Sequence, residues 1–173
     1  MSEPIKQLLR LLALLLVQAL LLNHIPPVSR FASPILYFLF LLWLPFSVSR
    51  VAMLFIGFIT GFALDLFTKT PGMHASACLL VAYVRPLLIG ILVPRETREL
   101  ATGSPSIASM GLTSYLLYTS ICTLVHHGWL ILLEWMSFGD FVYFLVKTIV
   151  TTILSLLLIF TTELLFRPLK KKR

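Results

Sequence analysis

Charged side chains are scarce in this chain: they make up 12% of 173 residues, and only seven of them are Asp or Glu. A soluble domain of this length needs a charged surface that such a composition does not supply. Cysteine is scarce too. Cys78 and Cys122 both sit inside apolar runs, without a CxxC or other metal-ligand spacing, and read as small packing residues rather than a disulfide framework. Catalytic signatures are missing: there is no GxSxG, no HExxH and no phosphate loop, and no Ser or Cys has a general base at a recognisable offset. His126-His127 lacks the further ligands that a metal site needs and reads as a satisfied or interface-facing pair. The residues thus offer no catalytic group, no cofactor-binding set and no metal site, and the expectation is a protein that is not an enzyme.

What the chain has in abundance is apolar sequence, 58% of residues, with a mean hydropathy of +0.96. Runs long enough to cross a bilayer as helices recur along its length. Hydropathy and helix breakers predict about six spans, roughly 7–24, 33–49, 51–67, 73–93, 110–134 and 141–166. The second and third are short, separated by Ser49-Arg50, and predict a tight helical hairpin. The apolar run after Lys6 and Arg10 leads into Asn23-His24-Ile25-Pro26-Pro27 without a small-x-small cleavage site, so it reads as a retained first span. The two longer connections are 25–32 and 94–109. No internal repeat is evident, and 1–173 reads as a single polytopic membrane domain, all-α, with its helices in one bundle.

The net charge of +7 does not point to nucleic acid, because the basic residues have no folded soluble surface on which to form a groove. It points to topology. With the N-terminus inside, the cytoplasmic segments hold Lys6, Arg10, Arg50, Arg95, Arg98, Arg167, Lys170, Lys171, Lys172 and Arg173, against Arg30 and Lys69 outside. This asymmetry predicts both ends inside. The tail RPLKKKR then meets anionic lipid, each basic residue contributing about 1 kcal/mol; it reads as a topology anchor before a docking site for a cytoplasmic partner. Trp43, Trp129 and Trp135 fit interfacial aromatic belts.

Polar groups inside spans are costly and each needs a reason. Gly57, Gly61 and Asp65 recur every four residues and share one side of the third span. The glycines permit close backbone approach, either to a neighbouring helix of the same bundle or to a partner span. Asp65 lies about two residues from the outer end of its span, within reach of water. It is expected to fix the corner into the fourth span by accepting hydrogen bonds from the loop, with Lys69 and His74 as neighbours. Thr70-Pro71-Gly72 suits either a turn centred on Pro71 and Gly72 or a helix start with Pro71 in first position. In the fourth span His74, Cys78 and Arg85 share a face, so the Arg85 charge is expected to face the interior or to snorkel inward. Glu163 is placed at the right depth to meet Arg85, and Lys147 to meet Asp140, Glu134 or Asp65.

Together these residues give the pattern GFALDLFTKTPGMHASACLLVAYVRP over 61–86: a glycine-bearing span ending in an aspartate, a short Pro-Gly turn, and a next span opening with His-Ala. In this motif, in its size and in its number of spans, the chain resembles the bacterial rod shape-determining MreD family. The resemblance extends over nearly the whole chain in architecture and about a quarter of it in motif. Gly61, Asp65, Pro71, Gly72 and His74 are the matching positions. The resemblance implies a helical arrangement akin to the substrate-binding subunits of energy-coupling-factor vitamin transporters. It also implies a multi-pass protein of the bacterial inner membrane that acts as a non-enzymatic scaffold of the cell-elongation machinery. The partners it implies are the single-span protein MreC, a polytopic glycan polymerase, a penicillin-binding transpeptidase and, indirectly, the cytoskeletal actin homologue. The alternative is the vitamin-binding subunit itself. Such subunits present an alanine-x-x-x-alanine surface on an early helix, whereas Ala13 and Ala19 here are six apart and on different faces.

Overall fold

The computed structural model describes residues 3–24, 32–96, 103–136 and 140–166, and these residues are mostly helical with no strand among them. Helix α1 (Glu3–Leu16) runs on through a π-turn, Val17–Leu21, and a 3-10 turn, Leu22–His24. The short α2 (Leu39–Trp43) is followed by α3 (Arg50–Thr68), α4 (Met73–Leu92), the one-turn α5 (Ile107–Met110), α6 (Leu112–Glu134) and α7 (Phe141–Phe166). Five helical stretches are long and apolar enough to cross a membrane: Ile5–His24, Arg50–Thr68, Met73–Leu92, Leu112–Glu134 and Phe141–Phe166. The molecule is therefore a helical, multi-pass membrane protein. Much of the charge asymmetry rests on Arg30, Arg98, Arg167, Lys170, Lys171, Lys172 and Arg173, which lie outside the described residues.

Helices α3, α4, α6 and α7 pack successively on one another, and α1 touches α2 and α3. Each long helix keeps an apolar stripe outward for lipid; on α3 it comprises Val51, Phe55, Phe58, Ile59, Phe62 and Leu66. The inward faces are small or polar, as expected where lipid removes the hydrophobic drive and close packing must hold helices together.

Residues 33–49 differ from the expected helix of a tight hairpin. Pro34 and Pro45 bracket only ten residues, about half of what a helical crossing needs. Proline also removes a donor and biases its predecessor to extended backbone. Only Leu39–Trp43 is helical, and it is entered through i→i+3 bonds from Leu39, Phe40 and Leu41 to the carbonyls of Leu36, Tyr37 and Phe38, at 3.0, 3.2 and 2.9 Å. The segment is nevertheless the most buried of the chain: Tyr37, Phe38, Leu39, Leu41 and Leu42 have no exposed surface. It threads the bundle alongside α7. Ile35 donates to the Ser155 hydroxyl (3.1 Å), and Trp43 donates to Glu163 (2.8 Å), eight residues further along both. At helical rise this advance is about 12 Å. Non-helical backbone at membrane depth is tolerated only where protein encloses it, and here it is enclosed on all sides.

Candidate functional site

Two groups of polar side chains hold this frame, and the positions singled out in the sequence divide between them. The first is the α3–α4 corner. Ser49 caps the start of α3 by accepting from Ala52 N–H (3.2 Å), and the helix ends at Lys69, which turns left-handed at φ 57°. Met73 N–H then donates to the Thr70 carbonyl (3.2 Å) across Pro71 and Gly72. Gly72, at φ 87° and ψ −13°, occupies the position of a type II turn that needs a positive φ. Of the two readings of Pro71, the turn centre is the one present, and α4 begins at Met73.

Gly72 has no side chain with which to cap α4, and Asp65 supplies the cap from the neighbouring helix. Its Oδ1 accepts from Thr70 O–H (3.1 Å) and His74 N–H (2.9 Å). Its Oδ2 accepts from Gly72 N–H (3.0 Å) and Ala75 N–H (3.0 Å). Three of these four donors lie at the start of a helix, where N–H groups lack partners and the dipole favours negative charge. Contrary to the expectation of water access, Asp65 is only 2% exposed, and Lys69 does not pair with it. The carboxylate is stabilised by neutral donors instead.

The glycines let the two helices come together at this corner. A Cβ on Gly61 would collide with the His74 carbonyl and lie 2.5 Å from Ala75 Cα. One on Gly57 would lie 2.9 Å from Ala82 Cβ and 3.0 Å from the Cys78 carbonyl oxygen. Between a partner span and a helix of the same bundle, the small-residue face is occupied by α4.

The second group serves the threaded segment. Gln18, inside the π-turn of α1, accepts from Leu36 N–H (2.7 Å) and donates to the Pro34 carbonyl (3.1 Å). From α6, Tyr118 donates to the Leu42 carbonyl (3.1 Å) and accepts from Arg85 Nε (3.0 Å), while Arg85 Nη2 donates to the Leu44 carbonyl. The broken helix therefore leaves few backbone groups unsatisfied, because α1, α4, α6 and α7 each send a polar side chain to meet them.

Arg85 faces the interior and is 2% exposed, but Glu163 is not its partner. Glu163 accepts instead from Trp43 (2.8 Å), Tyr115 (2.9 Å) and Ile107 N–H (3.4 Å). Trp43 is accordingly a core residue, 5% exposed, rather than part of an interfacial belt; Trp129, at 38%, is exposed. Of the three acids expected as partners of Lys147, Glu134 is the one it pairs with.

Between the two groups runs a line of hydrogen bonds. The Tyr37 hydroxyl lies 3.1 Å from His74 Nδ1 and 2.9 Å from His126 Nε2. His126 Nδ1 lies 3.2 Å from His127 Nδ1, and His127 Nε2 lies 2.8 Å from the Ser155 hydroxyl. Ser155 already accepts from Ile35, so its own proton is free for His127 Nε2. One set of tautomers that satisfies the line has His127 donating to His126, His126 to Tyr37, and Tyr37 to His74. His126 also stacks on Phe38, with ring centroids 4.4 Å apart. The histidine pair is thus satisfied within the core. At its other end the line reaches a cavity of about 310 Å³ bordered by Gln18, Asn23, Thr68, His74 and Glu134.

Gln18, Tyr37, Tyr118 and Ser155 were not among the candidates from sequence. The available signal was the pair Pro34 and Pro45, closer together than a helical crossing allows, with an uncharged Gln in mid-span on α1. The fold and its polar core define a helical membrane protein built around a buried, largely irregular segment. Family models, curated proteins and solved structures contain no match to this chain.

Proposed function

We propose that the chain is a non-enzymatic scaffold of the bacterial cell-elongation machinery in the inner membrane, as its resemblance to the MreD family implies. In this reading it has six crossings, the sixth being the threaded segment 33–49, with both ends in the cytoplasm. The arrangement is akin to that of the energy-coupling-factor substrate-binding subunits. Its partners are MreC, the glycan polymerase and the penicillin-binding transpeptidase, with the actin homologue reached through them. One observation carries the reading. Gly61, Asp65, Gly72 and His74, which bear the resemblance, all act in one corner as close-packing, capping, turning and hydrogen-bonding residues. Such a motif preserves a shape, and a scaffold works through its shape.

A second reading, the substrate-binding subunit of a vitamin transporter, is favoured by the polar cavity beside His74. Depletion in the native host, with cell shape followed by microscopy, tests the first. Rounded or swollen cells that still polymerise glycan are expected. Unchanged shape with loss of vitamin uptake, or copurification of an ATPase module with a bound vitamin, would replace it with the second.

A further inference from the structure

Arg85 is a buried cation with no acid paired to it among the described residues. Its guanidinium has five N–H donors. Three have acceptors: the Tyr118 hydroxyl, the Leu44 carbonyl and, at 3.8 Å, the weakly accepting Met53 sulfur. Among the described residues the other two meet no acceptor, and no carboxylate pairs with the group. Carbonyl and hydroxyl dipoles offset part of this buried charge, and an anion within reach would add a charge-assisted partner.

Arg85 also borders a cavity of about 340 Å³, together with Ser47, Ser49 and Arg50. These residues lead into the first turn of α3. There Ser49 accepts from Ala52 N–H, while the amides of Arg50 and Val51 have no intrahelical partner. One cavity is thus bordered by the buried Arg85, the exposed Arg50, two hydroxyl-bearing residues and a helix start, and no acid among the described residues borders it. A second recess of about 270 Å³ shares Arg50 and Pro86 with it and continues between α3 and α4 along Leu54, Tyr83 and Leu87, lined mainly by apolar surface. A charged head and an apolar continuation on the lipid-facing side describe the two halves of one molecule.

We propose that this is a binding site for an anionic phospholipid, with the phosphate held between Arg85 and Arg50 at the start of α3 and an acyl chain lying along Leu54, Tyr83 and Leu87. Basic pockets between membrane helices are established sites for anionic headgroups, and the guanidinium fork matches phosphate oxygens. By the charge asymmetry of the sequence, the leaflet concerned is the cytoplasmic one. The site does not depend on the scaffold reading.

The test is native mass spectrometry of the full chain in micelles, titrated with phosphatidylglycerol and with phosphatidylcholine. Phosphatidylglycerol should bind in preference. Arg50→Gln, at an exposed position outside the core, should weaken it about tenfold with unchanged melting, the loss expected for one charge-assisted contact. Leu87→Trp, which fills the apolar recess, should weaken it as well. Inorganic phosphate at millimolar concentration should not displace the lipid. The proposal is overturned if both variants bind phosphatidylglycerol as the wild type does, or if the two lipids bind equally. Displacement by inorganic phosphate alone would make this a site for the free ion and overturn the lipid assignment. Arg85→Gln also removes the Leu44 contact, so the Arg50 and Leu87 variants carry the decision.

Discussion

Replacing Asp65 by Asn changes no volume, yet the geometry of the corner makes it a severe substitution. Each carboxylate oxygen accepts two hydrogen bonds, one from Thr70 O–H and His74 N–H, the other from Gly72 N–H and Ala75 N–H. An amide keeps one oxygen and turns an NH₂ toward the other pair of donors, whichever way it is flipped. Two bonds to a charged acceptor are lost, each contributing about 1.5–3 kcal/mol. Relief of the buried charge offsets part of this, leaving a net loss of about 3 kcal/mol. For a chain of this size that lowers the melting temperature by roughly 6–12 °C. The assay is thermal unfolding in detergent, followed by the loss of the monodisperse peak in size-exclusion chromatography. Thr70→Val removes one of the four bonds to the carboxylate, together with the hydroxyl contact to Thr68 (2.6 Å), and should fall between Asp65→Asn and the wild type. If Asp65→Asn melts within about 2 °C of the wild type, the carboxylate is not the cap of α4, and the account of the corner fails.

Gly61→Ala should destabilise more than Gly57→Ala, because its Cβ would collide with α4 backbone, 2.5 Å from Ala75 Cα, whereas at Gly57 the nearest atoms are Ala82 Cβ at 2.9 Å and the Cys78 carbonyl oxygen at 3.0 Å; detergent melting of the two variants side by side measures the order. Ser155→Ala strips Ile35 N–H and His127 of their partner together and should cost about 1–3 kcal/mol in the same assay; an unchanged melting point would mean that Ile35 finds another acceptor. Cys78 and Cys122 are fully buried and should not react with membrane-impermeant thiol reagents, so single cysteines can be read against the wild type. Glu96→Cys and Asp140→Cys, both exposed and separated by α6, should label from opposite sides of the membrane; labelling from the same side would refute the order of crossings.

The lipid-crossing helices α1, α3, α4, α6 and α7 were legible in the sequence because their apolar length is a local property, and their ends fall within a few residues of the hydropathy boundaries. The corner was legible for the same reason: Asp65, Pro71 and Gly72 act within a dozen residues of one another. The segment 33–49 was not. Its apolar composition matches a span, and composition does not distinguish a helix facing lipid from irregular backbone enclosed by protein. The prolines carried the difference. The partners of Arg85 and Glu163 were misassigned because opposite charges at similar depth invite pairing, whereas each is met by neutral groups of the threaded segment and α6: Leu44 and Tyr118 for Arg85, Trp43 and Tyr115 for Glu163. Once that segment is irregular, its exposed carbonyls and amides compete for every polar side chain nearby.

The threaded segment also constrains how the protein is made. A membrane helix closes its own hydrogen bonds and can enter the bilayer as it leaves the ribosome, independently of the segments synthesised after it. Residues 35–44 cannot, since the Ile35 and Leu36 amides and the Leu42 and Leu44 carbonyls depend on other parts of the chain. Gln18 is already synthesised when they emerge, but Ser155 and Glu163 come 120 residues after the groups they bind. Until α7 is in place, the innermost strip of the molecule has no finished surroundings. Assembly therefore ends with the closing of the bundle around a segment made early, and at a translation rate of about 5–20 residues per second that segment waits for roughly 6–24 seconds. A chain stalled or truncated before α7 would leave the Ile35 amide and the Trp43 indole without these partners in the membrane.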